Sequence, residues 1–511
     1  MNQRVSGAIL SYIIIFVNLI VAIAFTPFLI SKVGQSGYGI FSLAISFISY
    51  ISMLEFGMND SLLRSFVSKL RFREETRGFL ARMLILYAGI ALLILFSGFA
   101  VSEACRFMFS KSMTSGQLGL LENIIDIMSL GAAISIFLNP VGALIYAHEK
   151  FVFIRISDLV ISLGTTLAIV ITLIAGYGLF TVVFLTVLGQ IARASANVVY
   201  CVFKIKINIG MERPKPAEIK STLAYAAPIF VSVVTEQIFW KLDQIFVGAM
   251  IGAAAVAVYA VGITFNKYFM SFGTAISRTV TPDIIRTVDA GADSQSLTDL
   301  MVRISRLQAI ALLLVLGGLI VFGHRFLMLW LGPSFSDSYL VMLVVLCPYT
   351  LELTGNARNI LLQVKGLYWQ RSLITGAMAI LNIPLTIWLL KIWGVTGGAV
   401  ATGAAVLSGY LLIAVLLHKR VGISMWRYWR ETSRRILPLF ASLVVIGLLL
   451  QPVMLPGWAG LLIGSCVFAA IYMAGVILYA ANDYERAIMR RILLRFVALL
   501  RFRAREHQSL N

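Results

Sequence analysis

The sequence predicts an all-α membrane protein of about fourteen transmembrane helices, and three observations carry that prediction. The chain of 511 residues is 59% hydrophobic and only 13% charged, roughly half the charge density of a soluble globular chain. Apolar runs of the roughly 20 residues needed to cross a bilayer recur along its whole length. Lysines and arginines gather on alternate sides of those runs, as they do in polytopic proteins. The formal charge of +19 alone would admit nucleic acid as a partner. In a chain with mean hydropathy of +0.91 it reads instead as a surface facing anionic lipid, with no nucleic acid expected.

Runs bounded by charge, Gly or Pro place helices near residues 7–31, 38–61, 79–101, 120–147, 152–175, 179–203 and 221–248. The rest lie near 254–278, 304–323, 337–357, 372–390, 395–417, 436–451 and 457–480. The first run has no small-residue cleavage site and is read as a retained helix. With the N-terminus inside, 33 of the 42 basic residues fall in cytoplasmic segments and five (Lys32, Arg106, Lys111, Arg325, Lys391) in outer ones. Arg82, Arg193, Lys241 and Lys267 lie within helices. This alternation predicts both termini in the cytoplasm. The longest outer connection is expected at residues 102–119, so no soluble domain is expected. Cys105, Cys201, Cys347 and Cys466 make no CxxC pair, and neither disulfide framework nor metal site is expected. From Tyr484 to Arg505, Ile488, Ile492, Phe496 and Leu499 share one helical face while arginines take most of the other. That pattern suits a basic amphipathic tail on the inner leaflet; a merely solvated tail is the plainer reading.

The chain contains itself twice. KVGQSGYGIFSLA around Gly34 returns as MIGAAAVAVYAVG around Gly252, 218 positions on; EKFVFIR and LYWQR end at Arg155 and Arg371, 216 apart; Gly178 and Gly394 are again 216 apart. Six helices separate the copies. An even number gives both the same orientation, a parallel repeat about an axis along the membrane normal, with a substrate path expected between the halves. The expected divisions are an N-lobe over residues 1–208, a C-lobe over 209–420, two further helices over 421–481 and the tail over 482–511.

Specific stretches resemble one family. FTPFLISKVGQSGYGIFSLA with Gly34, Tyr38 and Gly39, then EFGMNDSLLR with Glu55, Gly57 and Arg64, then KLDQIFVGAMIGAAAVAVYAVG with Asp243, Gly248, Gly252 and Tyr259 are similar to the polysaccharide-transporter branch of the multidrug/oligosaccharidyl-lipid/polysaccharide exporter superfamily. The likeness covers essentially the whole chain. It implies two six-helix lobes around a central cavity opening alternately to either side. It also implies a cargo of undecaprenyl-diphosphate-linked oligosaccharide, moved to the periplasmic leaflet of a bacterial inner membrane for O-antigen, capsule or exopolysaccharide assembly. A glycan polymerase and a chain-length regulator are the implied partners, the expected state is a monomer, and no cofactor is implied.

Ionisable residues inside membrane helices are costly and so mark cavities or partners. The seventh helix is richest: Pro228, Ser232, Glu236 and Asp243 form one stripe with Trp240 at its edge and Lys241 off it. By the 218 offset Glu236 corresponds to Asn18, a lone polar residue in the first helix. Pro228 removes a backbone hydrogen bond and allows a bend. Arg193 and Lys267, with Lys241, are the candidates for binding the diphosphate or acidic sugars, since an anion crossing hydrocarbon needs cationic donors in place of water. The alternative pairs Lys267 or Lys241 with Glu236 or Asp243 in structural salt bridges. Glu236, Asp158 and Glu352 are candidates for ion coupling, because a carboxylate in low dielectric takes up a proton more readily; a structural Asp158–Arg155 pair competes with that role. Glu55, Asp60 and Arg64 are expected to be structural or gating, with Asp60 and Arg64 as i, i+4 neighbours, and Asn139–Pro140 is expected to kink the fourth helix. The isolated histidines and the lack of HExxH, Walker or GxSxG patterns point away from an enzyme. A drug or organic-cation antiporter on the same fold is the second reading. A membrane glycan polymerase or ligase is the third; it would rest on Glu103 and Glu122 near the outer connection.

Overall fold

The computed structural model describes residues 3–71, 76–206, 216–487 and 490. Some side chains inside helices, among them those of Asp60, Pro228 and Ser232, lie outside the description, as does nearly all of the tail beyond residue 487. Every regular element is helical among the described residues. In order these are α1 (Gln3–Ser52), α2 (Met58–Arg71), α3 (Thr76–Phe109), α4 (Ser115–Phe137), α5 (Asn139–Ala147), α6 (Phe151–Ile174), α7 (Leu179–Tyr200) and α8 (Pro216–Met250). Then come α9 (Ala253–Asp289), α10 (Ser294–Leu331), α11 (Asp337–Thr354), α12 (Asn356–Val364), α13 (Tyr368–Trp393) and α14 (Val395–Val421). The last are α15 (Met425–Ser433), α16 (Ile436–Leu450) and α17 (Gly457–Gly475).

At 50 residues, α1 would be about 75 Å long if straight, far more than a hydrocarbon core of about 30 Å. Gly34 resolves this. Its φ of 76° and ψ of 167° break the helix into two arms, a left-handed conformation that glycine adopts at little cost. Twelve stretches of the described residues are long and apolar enough to cross a membrane. One of them, Phe16–Glu55, holds both arms of α1, and α8 is not counted among them. Separating the arms and adding α8 gives the fourteen crossings read from the sequence. The chain is a multi-pass, all-helical membrane protein.

The internal repeat is written into the backbone. Gly34 and Gly252, Glu149 and Gly366, Gly176 and Gly394, and Lys206 and Gly422 all have positive φ, and each pair is 216–218 residues apart. The short helices α5 and α12 start at Asn139 and Asn356, 217 apart, and each runs nine residues.

Three local readings are corrected. The connection expected over 102–119 is short, because α3 continues to Phe109 and α4 begins at Ser115; Arg106, by a two-pronged bond to Glu122 at 2.8 and 3.0 Å, ties the two helices beyond the apolar run. Glu103 lies on that helix 4.0 Å from Arg106. Glu55 ends a tight turn after α1, and left-handed Phe56 and Gly57 separate it from α2, which carries Arg64. Residues 337–357 are two helices, broken at Gly355.

The described chain forms two compact units, residues 1–261 with 379–401, and residues 262–378 with 402–511. In the first, Met58, Leu62, Phe66, Tyr87 and Leu144 form a core between α2, α3 and α5. There α1 passes so close to α9 that a Cβ on Gly39 would lie 1.7 Å from the Ala253 carbonyl oxygen. In the second unit α10 is the hub. Leu312, Leu316, Phe440, Phe468 and Tyr472 bind it to α16 and α17, while Leu297, Met301, Leu361 and Tyr428 bind it to α12 and α15.

Candidate functional site

On α8 the predicted stripe has an open end and a sealed end. Glu236 is exposed, whereas Asp243 is 2% exposed. Tyr259 donates to Asp243 Oδ2 at 2.7 Å from α9, and Thr386 donates to Oδ1 at 3.0 Å from α13. The Thr386 hydroxyl also lies 3.3 Å from Asn382 Oδ1. A carboxylate, an amide oxygen and two hydroxyls are ligands that hard cations take. The adjacent face of α8 packs on α1: Ser46 donates to Gln244 Oε1 at 2.5 Å and Tyr50 to the Gln237 carbonyl at 3.0 Å. Trp240 and Lys241 are half-buried with polar or ring contacts of their own. Asn18, the repeat counterpart of Glu236, is exposed on a stretch of α1 where Phe16 and Ile20 are exposed too. Pro228 and Asp60 fall among the side chains outside the description.

The helices α6 and α7 form a hairpin that brings two candidates together. Arg193 Nε lies 3.2 Å from Asp158 Oδ1, and Arg155 Nη1 lies 3.8 Å from Asp158 Oδ2. Two guanidinium groups share one carboxylate, leaving a local excess of one positive charge. Arg193 remains 47% exposed at its side chain, so it can face a second anion.

In the second unit Lys267 is exposed on α9, and among the described residues no carboxylate lies within ion-pair distance of it. Its neighbour Asn266 is 1% exposed, with neither amide atom hydrogen-bonded.

Two further carboxylates sit at the broken helices. In the first unit Glu55 accepts from Asn139 Nδ2 at 2.9 Å and from Tyr87 at 3.3 Å. Pro140 occupies the first turn of α5, just past the break at Leu138, where its missing N–H costs nothing. In the second unit Glu352 is bound by Arg358, whose guanidinium sits 4.1 Å from the Tyr410 ring centroid and is 1% exposed. Asn359 bridges Asn356 at 3.0 Å and accepts from Arg371 at 2.8 Å. Nearby Tyr428 donates to Ser305 at 2.9 Å, and burial pushes its phenol above the ordinary value.

Sequence reasoning did not single out Tyr87, Arg358, Asn382 or Thr386. Asn382 and Thr386 carry a signal, two polar side chains four apart on an apolar helix. Arg193 and Asp158 carry another, since they stand at similar distances on either side of the turn at Gly176. Among the described residues no group of three or more His, Cys, Asp or Glu gathers as a metal centre would.

The sequence profile of a family described as polysaccharide biosynthesis protein matches residues 5–288. No curated protein sequence matches the chain. Among solved structures the fold is similar to that of the lipid II flippase MurJ in an inward closed conformation, with 12% identity, a TM-score of 0.66, and 90% of this chain and 98% of that one covered. It is also similar to an inward-facing multidrug resistance MATE family transporter of the MOP superfamily, with 13% identity, a TM-score of 0.63, and 76% and 91% covered. A MOP superfamily transporter from Pyrococcus furiosus aligns with 13% identity, a TM-score of 0.55, and 82% and 95% covered.

Proposed function

The chain belongs to the polysaccharide biosynthesis protein family, and from that premise we propose that it is a flippase for undecaprenyl-diphosphate-linked oligosaccharide. The cargo passes from the cytoplasmic to the periplasmic leaflet of a bacterial inner membrane, for O-antigen, capsule or exopolysaccharide assembly. The observation that carries this reading is Lys267: an exposed cation on a membrane helix, with no counter-ion among the described residues. A lysine in that setting is stable only where water or an anion meets it. In the other unit Arg193, half-exposed and sharing Asp158 with Arg155, is a separate cationic group that an anionic group of the cargo can meet. A solved protein of this fold is named as the lipid II flippase MurJ, which supports a flippase reading.

Transport proceeds by alternating access, coupled to an ion gradient. Glu236 is the carboxylate suited to take and release a proton, because it is exposed and no basic side chain pairs with it among the described residues. Asp158 and Glu352 are each held by arginine. The charge alternation sets both termini in the cytoplasm, and the protein works as a monomer that hands its product to a glycan polymerase and a chain-length regulator. Deletion of the gene in its host is expected to leave lipid-linked repeat units on the cytoplasmic leaflet and to deplete the surface glycan. A normal surface glycan with new drug sensitivity would instead identify a drug or organic-cation antiporter.

A further inference from the structure

The facing ends of α9 and α10 line an open cleft of about 430 Å³, with exposed charged residues that transport, as proposed above, leaves unused. Asp283, Arg286 and Thr287 line it from α9, Arg303 from α10, and Tyr484 from the segment after α17. Tyr484 is held there by a buried anchor. Glu485, 0% exposed, accepts from Arg306 Nε at 2.6 Å and from Nη2 at 3.0 Å. The same guanidinium donates to the Ala480 and Glu431 carbonyls at 2.8 and 2.9 Å. Asn482 and Glu485 close a reciprocal pair of bonds between side chain and backbone at 3.0 and 2.9 Å, fixing the turn that presents Tyr484.

On that platform Arg303 sits 3.5 Å from the Tyr484 ring centroid. A guanidinium over an aromatic ring keeps its in-plane donors for another acceptor. Neither Arg303 nor Arg286 has an ion-pair partner among the described residues, so two guanidinium groups face one carboxylate, Asp283, in the cleft lining. Two arginine forks are donors suited to a tetrahedral oxyanion; the Thr287 hydroxyl already donates to the Asp283 carbonyl at 2.8 Å. Depth points to its carrier. The unbroken apolar run of α10 begins at Ala309. Arg303 precedes it by about 9 Å of helix rise, which sets it in the headgroup layer beside a hydrocarbon core of about 30 Å.

We infer that this cleft binds the phosphate of a membrane lipid, gripped between Arg286 and Arg303. Two lipids carry that chemistry: a bulk anionic phospholipid and a polyprenyl diphosphate. The inference does not depend on what the protein transports.

The test is native mass spectrometry of the full-length protein, titrated with phosphatidylglycerol, with undecaprenyl diphosphate, and with diacylglycerol as the phosphate-free control. R286Q/R303Q is expected to weaken binding of a phosphate-bearing lipid about twenty-five-fold, at about five-fold per arginine near a membrane surface. D283N, which removes the opposing charge, is expected to tighten it. Loss confined to phosphatidylglycerol names the bulk lipid as occupant, and loss confined to undecaprenyl diphosphate names the polyprenyl lipid. Unchanged binding of both in R286Q/R303Q, equal retention of diacylglycerol, or weaker binding in D283N overturns the site. The opposite signs of the two variants separate loss of the site from loss of fold.

Discussion

Arg193 Nε on α7 lies 3.2 Å from Asp158 Oδ1 on α6, so one of the two cations nominated for the cargo already shares a carboxylate. The pair is half-open, at 47% and 24% exposure. Ion pairs in such settings contribute only about 0–1 kcal/mol to stability. The geometry therefore leaves room for a functional use of the arginine that a structural bridge would not explain.

Exchanging the two charges tests that use. R193D/D158R is expected to unfold within a few degrees of the unmodified protein, because the pair re-forms. Glycan export should still fail, because the positive group has moved to α6. Thermal unfolding and surface-glycan staining read the two outcomes, and full export by the exchanged protein would assign the pair to structure alone.

Lys267 gives a cleaner case. K267A should reach the membrane at normal levels, since no partner among the described residues is orphaned by it. Export should fall about ten- to a hundred-fold, the scale of a lost hydrogen bond to a charged group at about 1.5–3 kcal/mol. K267R should recover part of the activity, keeping charge but changing shape.

Gly39 is a packing prediction. A methyl group there would sit 1.7 Å from the Ala253 carbonyl oxygen, and backbone cannot yield as a flexible side chain can. G39A is expected to destabilise the first unit by at least about 1–3 kcal/mol, read as a lower unfolding temperature and poorer yield in the membrane.

The Arg358–Glu352 pair, with a buried arginine and a part-buried glutamate, should show strong asymmetry. Removing one partner strands a buried charge, costing about 3–5 kcal/mol. Hence R358M or E352L alone should lower yield sharply, and R358M/E352L should restore much of it. Yield and unfolding temperature across the double-mutant cycle measure this.

The helices and their alternating charge were legible in the sequence because hydropathy and the position of basic residues are local properties. Gly34 and Gly252 were legible as motif residues, and the break near Pro140 because proline forces one. The break at Gly355 has no proline to mark it. The extension of α3 to Phe109 depends on Arg106 meeting Glu122 across a turn. Thr386 and Asp243 are 143 residues apart, and no periodicity within either helix reveals their bond. Arg358 follows the helix end expected at residue 357 and is nevertheless buried, because burial there comes from α11, α12 and Tyr410 together.

The most direct measurement of the central proposal is leaflet exchange of the cargo in liposomes. Purified protein is reconstituted with undecaprenyl-diphosphate-linked oligosaccharide, and the fraction open to a membrane-impermeant glycosidase is followed in time. The protein is expected to raise that fraction from about half toward completion, with K267A doing so about ten- to a hundred-fold more slowly. Equal exposure with and without the unmodified protein would contradict the proposal.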